Sequence, residues 1–426
     1  MKILIISHNP ISTYQSMGKT LLSLFSSFAK KELCQIYIYP TTPDIDICNS
    51  YFRITDRDIL NSYFNFGKVK SRKISSNDIC ASKTVFFESK EDERLLKRKK
   101  TYFNLMVRDV AWRCSLWFNR ALKSWLEEEK PDRIFLAPGE AIFIYDIALL
   151  IHKTLKIPIV TYMCDEFYFL NSPKSILGNI HSYFLRKKIE ELMRQCNGII
   201  TICDELTTAY KTKFAVPAET VYTGAAFDIN QHADRLGSPT GITYLGNMSC
   251  GRLNSIIDVG NVLSEINAET DSHFNLFLYT RLLSNEQKKQ ILHVPTIKYC
   301  GYVVKEDYKK VLFGADLLLH VESFDTLYVD KVKHSISTKI ADSLASGVPL
   351  IAYGNGSVAS MKYLIGENCA FCAVNKAELK KILVTALFQG DARRAVIERS
   401  ISVANKNHCA KKNSAFLKKK LAEYTG

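Results

Sequence analysis

The stretch Ser335-Ile336-Ser337-Thr338-Lys339-Ile340-Ala341-Asp342, followed by Gly347-Val348-Pro349, holds the residue types that a pyrophosphate and a ribose require. Thr338 in a capping position would leave first-turn N–H groups open to phosphate, with Ser337 beside it. Lys339 adds a point charge at the same place. Asp342, one turn on and on the same face, could accept hydrogen bonds from a ribose diol. Gly347 ends the helix and Pro349 leads into the next strand. A second cation comes from Tyr244-Leu245-Gly246-Asn247, an apolar strand running into a loop that carries Arg252. A guanidinium forks onto phosphate oxygens and keeps its charge.

Acids appear at a different strand end. Residues 157–162 are apolar and deliver Asp165 and Glu166 at the carboxyl end, where a carboxylate can accept a proton from a hydroxyl or hydrogen-bond a sugar. Gly18 opens the helix after the first strand, either for phosphate approach or for close helix packing. Gly18-Lys19-Thr20 spells the end of a P-loop, but Thr13 stands where that motif needs its first glycine, which argues against one. Asp44/Asp46 and Asp56/Asp58 have the spacing of a divalent-cation pair. They fall in an irregular stretch with no apolar strand to aim them, so solvated loop acids and no metal are expected. Cys369 and Cys372 form a C-x-x-C with no second pair for zinc.

The elements that must position these residues follow from periodicity. Apolar runs at 2–7, 35–39, 133–137, 157–162, 198–202 and 220–222 alternate with helical stretches at 18–31, 145–154, 185–196 and 204–213. A long basic helix is expected over 92–129. After a polar stretch rich in Asp, Asn, Gly, Ser and Pro, the alternation restarts. Strands are expected at 241–245, 274–279, 297–300, 317–321 and 349–352. The helices between them fall at 253–266, 308–313 and 338–345, and two more follow at 376–387 and 392–420. Alternation of this kind implies parallel sheets covered on both faces. The expected fold is therefore α/β, with two Rossmann-like doubly wound domains facing a central cleft. The expected divisions are residues 1–225, a linker at 226–240, a second domain at 241–400 and a C-terminal helix at 401–426 that packs back on the first domain.

The chain of 426 residues is 47% hydrophobic and 23% charged, enough for two packed cores. Its net charge of +14 favours anionic partners: nucleotide phosphates, an acidic lipid surface or nucleic acid. Aromatics are not interleaved with Lys and Arg as single-stranded nucleic acid would require, so nucleic acid is not expected. Arg94, Lys97, Arg98, Lys99 and Lys100, then Lys411, Lys412, Lys418, Lys419 and Lys420, form basic runs. Trp112, Trp117 and Phe118 lie among Arg108, Arg113 and Arg120, which suits a membrane interface as well as a core-facing helix. No apolar run reaches the ~20 residues of a membrane span. Scattered cysteines fit a reducing compartment. The expected location is cytoplasmic, with peripheral contact on an anionic membrane.

The segment from Lys339 and Asp342 through Ser343-Leu344-Ala345-Ser346-Gly347-Val348-Pro349 resembles the C-terminal signature of family 4-like glycosyltransferases of the GT-B fold, in its bacterial polysaccharide and glycolipid type. Gly18, Asp165-Glu166, the run from Gly198 to Leu206, and Gly246-Asn247 with Arg252 agree with that family in order. The family's Glu-x7-Glu is not kept, because His334 stands eight residues before Asp342. Glu322, after the strand at 317–321, is the substitute. The resemblance implies transfer of a sugar from a nucleotide-diphosphate donor to a glycan or lipid-linked acceptor, with retention and without metal or cofactor. It implies that Arg252 and Lys339 neutralise the diphosphate and that Asp342 holds the ribose. Gly18, Gly246, Asn247, Ser337 and Thr338 would line the donor site, with Asp165, Glu166 and Glu322 as catalytic acids. A nucleotide-sugar epimerase or phosphorylase on the same fold, or a non-enzymatic glycan-binding protein, is the alternative.

Overall fold

The computed structural model describes residues 1–13, 16–65, 67–74, 79, 101–170, 175–229, 237–281 and 284–424. The basic run Arg94, Lys97, Arg98, Lys99 and Lys100 lies outside the described residues. The chain divides into two compact units, Met1–Val221 with Lys411–Gly426, and Tyr222–Ala410. It therefore passes between units at 221/222 and again at 410/411.

In the N-terminal unit, β1 (Ile3–Ser7), β2 (Leu33–Tyr37), β3 (Ser50–Arg53), β4 (Arg72–Ile74), β5 (Arg133–Ala137), β6 (Ile159–Met163), β7 (Cys196–Thr201) and β8 (Ala218–Thr220) form one sheet. Its order is β4-β3-β2-β1-β5-β6-β7-β8. Every neighbour is parallel except β3 with β4. Ile3, Leu4, Ile5 and Ile6 are all buried, as expected of a strand covered on both faces. The helices are α1 (Ser16–Leu24), α2 (Asp56–Ser62), α3 (Tyr102–Cys114), α4 (Arg120–Glu129), α5 (Phe143–Leu155), α6 (Ile176–Met193) and α7 (Asp204–Phe214).

Two sequence expectations are settled here. The helix expected over 92–129 is two helices where it is described, because Asn119 caps α4 by accepting from Leu122 N. Of the aromatics that suited either a membrane interface or a core-facing helix, Trp112 and Trp117 are core, with Trp112 stacked on Phe143 at 4.2 Å, and Phe118 is half-buried. Arg108 is paired with Asp56 at 2.8 Å.

In the C-terminal unit, β9 (Gly241–Leu245), β10 (Asn275–Tyr279), β11 (Ile297–Gly301), β12 (Leu317–Val321), β13 (Leu350–Tyr353) and β14 (Phe371–Ala373) form a parallel sheet. The order β11-β10-β9-β12-β13-β14 places the first strand centrally. The winding reverses between β9 and β12, the point where doubly wound sheets open a crevice for ligands. The flanking helices are α8 (Arg252–Thr270), α9 (Asn285–Leu292), α10 (Lys305–Gly314), α11 (Thr326–Val332), α12 (Lys339–Ala345), α13 (Ala359–Gly366), α14 (Lys376–Phe388) and α15 (Gly390–Asn407). The unit's core gathers Ile242, Ile256, Leu263, Leu276, Leu278, Leu317, Ile351 and Leu383. Each contributes roughly 1.5–3 kcal/mol by leaving water.

The helix expected over 392–420 is also broken, at His408-Cys409, and resumes as α16 (Ala410–Glu423). All but the first residue of α16 belongs to the N-terminal unit. Ser414 Oγ accepts from Ser27 N at 2.9 Å, Lys418 meets Glu32 at 2.7 Å, and Lys420 meets Glu219 at 3.1 Å. Gly198 leaves room for the ring of Tyr424.

Candidate functional site

A pocket opens in the C-terminal unit at the winding reversal. Thr243 to Gly246 of β9 and Leu318 to Val321 of β12 form its floor, with Arg252, Tyr308, Ser337, Lys339, Ile340 and Ser343 around it. Four of the expected donor-binding residues, Gly246, Arg252, Ser337 and Lys339, are thus brought together.

Arg252 owes its place to an unusual turn. Cys250 and Gly251 both take left-handed backbone conformations, φ +57° and +69°, which for Gly251 has no steric cost. Arg252 then becomes the first residue of α8. Its Nε donates to Val321 O at 3.1 Å and Nη1 to Asn247 Oδ1 at 3.2 Å. Nη2 meets the Glu322 carboxylate, 3.3 Å from Oε1 and 3.0 Å from Oε2. Asn247, expected to touch the donor, therefore orients the arginine, and its own backbone oxygen is held by Tyr244 Oη at 2.7 Å.

Glu322 stands one residue past β12 and is 1% exposed. Gly354 makes its position possible: a Cβ there would lie 2.7 Å from Glu322 Cβ and 2.9 Å from its N. Ser255 Oγ donates to Glu322 O at 2.7 Å. Burial opposes ionisation of Glu322. A hydrogen bond and charge from His320, then the Arg252 charge, outweigh it and hold the carboxyl below its usual range. His320 Nε2 is 3.2 Å from Glu322 Oε1. Neither His320 nor Ser255 was singled out from sequence. His320 had a signal, since residues two apart on a strand point to the same side.

Two parts of the expected phosphate cradle differ. Thr338 is itself in the right-handed helical region, φ −59° and ψ −19°, and its side chain makes no capping bond. A cap needs an extended backbone to swing its oxygen onto the N–H groups. Asp342, expected on a ribose, accepts from Ala226 N at 2.7 Å and from Tyr308 Oη at 3.1 Å. Burial and Asp342 raise the Tyr308 phenol well above its ordinary range, so it stays a donor.

In the N-terminal unit, Asp165 is exposed just past β6 and Glu166 is buried. Glu166 Oε1 accepts from Tyr168 N and Phe169 N, both at 2.6 Å. Expected as a second catalytic acid, it uses Oε1 to close its own turn. Gly18 packs on its own loop, where a Cβ would lie 2.7 Å from Pro10 O.

The acid pairs read as loop residues have local partners. Asp44 accepts from Thr13 N at 2.9 Å, and Asp46 pairs with Lys30. Asp56 pairs with Arg108, and Asp58 completes a capping box with Thr55. Among the described residues no group of three His, Cys, Asp or Glu could hold a metal. Burial pushes the thiols of Cys369 and Cys372 up to about 12, the reverse of an activated thiolate. No described helix is long and apolar enough to cross a membrane.

No family model and no curated protein matches the chain. Solved structures do. Anabaena HepE in complex with UDP and glucose matches with TM-score 0.64 at 12% identity, covering 99% of this chain and 100% of that one. Sucrose-phosphate synthase from Thermosynechococcus elongatus matches at 0.63 and 9% identity, covering 99% and 98%. The E. coli trehalose-6-phosphate protein bound with UDP-2-fluoro glucose matches at 0.62 and 9% identity, covering 100% and 99%. The chain has the GT-B fold that these proteins share.

Proposed function

We propose that this protein is a glycosyltransferase that moves a sugar from a nucleotide-diphosphate donor, UDP-linked in the first instance, to a glycan or glycolipid acceptor. One observation carries the proposal: the pocket at the winding reversal has Arg252 and Lys339 on its wall. Two cations in a partly enclosed site are what a departing diphosphate needs. UDP in the structural neighbours supports the choice of base.

In the reaction proposed, the acceptor hydroxyl oxygen bonds to the anomeric carbon as the carbon–oxygen bond to the diphosphate breaks. Under retention, the acceptor proton passes to the departing diphosphate oxygen on the same face. Arg252 and Lys339 stabilise the charge that develops there and take the place of a metal ion. Glu322 keeps the guanidinium in position. Asp165, exposed at the end of β6 in the N-terminal unit, is able to accept a hydrogen bond from a sugar hydroxyl.

A lipid-linked acceptor and peripheral membrane contact find support on a surface that includes Arg113 of the basic stretch read from sequence and adds apolar residues that reading did not name. Helices α3 and α6 pack together through His181, 3.6 Å from Asp109 and 5.9 Å ring to ring from Tyr102. They expose Phe103, Val107, Val110, Ile176, Ile180 and Phe184, with Ile176 at 79%. Arg113 and Lys187 are exposed on the same helices. Apolar and basic groups together suit an anionic headgroup layer. Co-sedimentation with phosphatidylglycerol vesicles but not phosphatidylcholine vesicles, lost in Ile176→Asp/Ile180→Asp, is the expected result.

The donor reading is tested by thermal shift with UDP, GDP, ADP and CMP. Stabilisation by a nucleoside diphosphate, lost in Lys339→Ala, is expected. No stabilisation by any of the four would remove the proposal.

A further inference from the structure

We propose, on the donor-site reading above, that Asp342 is a positioning residue. It ties Tyr308 and the segment 222–229 to the helix that carries Lys339, and so keeps the pocket in shape without touching the ribose of the nucleotide.

The direction of the side chain separates it from its neighbours. Lys339, Ile340 and Ser343 of α12 line the pocket. At about 100° per residue, Asp342 falls roughly 60° beyond Lys339, on the side away from Ile340 and Ser343. There it meets donors from two other elements. Oδ1 accepts from Ala226 N at 2.7 Å, and Oδ2 accepts from Tyr308 Oη at 3.1 Å. A ribose diol would have to compete with both for an acid turned off the pocket wall.

Each of these bonds bears on the pocket. Tyr308 and Leu312 put α10 in its wall, and the Tyr308–Asp342 bond links α10 to α12. The segment is held on both sides of Ala226. Before it, Ala225 N donates to His408 O at 2.8 Å, and the His408 ring bonds Thr223 O at 2.9 Å. After it, the Phe227 ring lies 4.9 Å from that of Phe313 on α10, with Lys309 Nζ 5.7 Å from Phe227. Ala226 N is thus a donor in a fixed place.

Helix α12 needs such an anchor. It has seven residues, and Thr338 makes no capping bond at its start. A helix this short is not held by its own hydrogen bonds and takes its place from tertiary contacts. The carboxylate of Asp342, bonded to a held amide and to Tyr308, fixes the rotation of α12, and with it the aim of Lys339.

The test removes the side chain and the diol separately and together. Wild type and Asp342→Ala are titrated calorimetrically with UDP and with 2′,3′-dideoxy-UDP. A residue that acts through α12 costs both ligands the same factor when removed, about tenfold, whereas one that holds the diol costs UDP alone. Equal losses support the proposal. A loss confined to UDP or larger for it overturns the proposal, as does no loss for either ligand, or a wild type that binds UDP but not the dideoxy analogue. Asp342→Asn keeps an oxygen for Ala226 N and offers an N–H to Tyr308 Oη. It should recover both ligands together, and recovery of neither overturns the proposal. Should Asp342→Ala fail to fold, Tyr308→Phe replaces it, and equal or unequal losses decide in the same way. A wild type that takes neither ligand defeats the donor-site reading and this proposal with it.

Discussion

Two strand ends in this molecule carry a buried glutamate, and they use it differently. After β6, Glu166 accepts from two amides of its own turn. After β12, Glu322 is held by two side chains, Arg252 and His320, in a unit whose winding reverses beside it. The two amides on Glu166 are fixed dipoles that belong to its own turn. Side-chain cations can change partner. A buried acid is therefore informative about function through what satisfies it.

The largest effect that could break this contrast comes from removing one side of the ion pair. Arg252→Met leaves the buried Glu322 to His320, and should destabilise the fold by about 2–3 kcal/mol, the range of a lost hydrogen bond to a charged group, and abolish UDP binding. Adding Glu322→Gln should restore most of the stability and none of the binding. Denaturant melts and calorimetry on both variants check this. Recovery of binding in the double variant would contradict it.

A buried base far from the contrast sharpens it. His408 bonds Thr223 O at 2.9 Å and Tyr363 Oη at 2.8 Å, and burial drives its pKa from 6.5 to about 4. Between those values the unfolded chain binds the proton and the folded chain does not. Stability should therefore fall as pH drops from 6.5 towards 4, by up to about 3 kcal/mol. His408→Gln should flatten that slope while leaving UDP affinity at pH 8 unchanged. Chemical denaturation across the window reads it.

Lys339→Ala should weaken UDP roughly 10- to 100-fold, the range of a lost charge-assisted bond, read by calorimetric titration. Glu166→Gln should be the smallest, about 1–2 kcal/mol of stability with UDP affinity unchanged. A change in UDP affinity there would erase the distinction between the two glutamates.

Much of this architecture was legible in the residues. The runs at β1, β5, β6, β9 and β12 are predominantly apolar, as doubly covered parallel strands are. Gly246 and Arg252 were read from a strand end and its loop, Ser337 and Lys339 from the start of a helix, and they line one pocket. What stayed hidden has physical causes. Asn119 breaks helical periodicity with a local cap, and His408 sits at the second break with bonds to Thr223 and Tyr363, none of which a hydrophobic count registers. β3, β4 and β14 are three or four residues long, and β3 and β4 mix polar with apolar residues, so no apolar run marks them. Asp342 and Glu166 have the right chemistry, but their partners, Ala226 N, Tyr308 and the amides of a turn, are set by tertiary placement. The His320–Glu322 couple was visible as a two-residue spacing but needed Arg252 to give it meaning.

The central claim is that the pocket beside β9 and β12 grips a diphosphate through Arg252 and Lys339. A crystal structure with UDP tests it most directly. The account predicts phosphate oxygens within hydrogen-bond distance of the Arg252 guanidinium and the Lys339 ammonium. UDP bound elsewhere, or seated with neither cation on its phosphates, would contradict it.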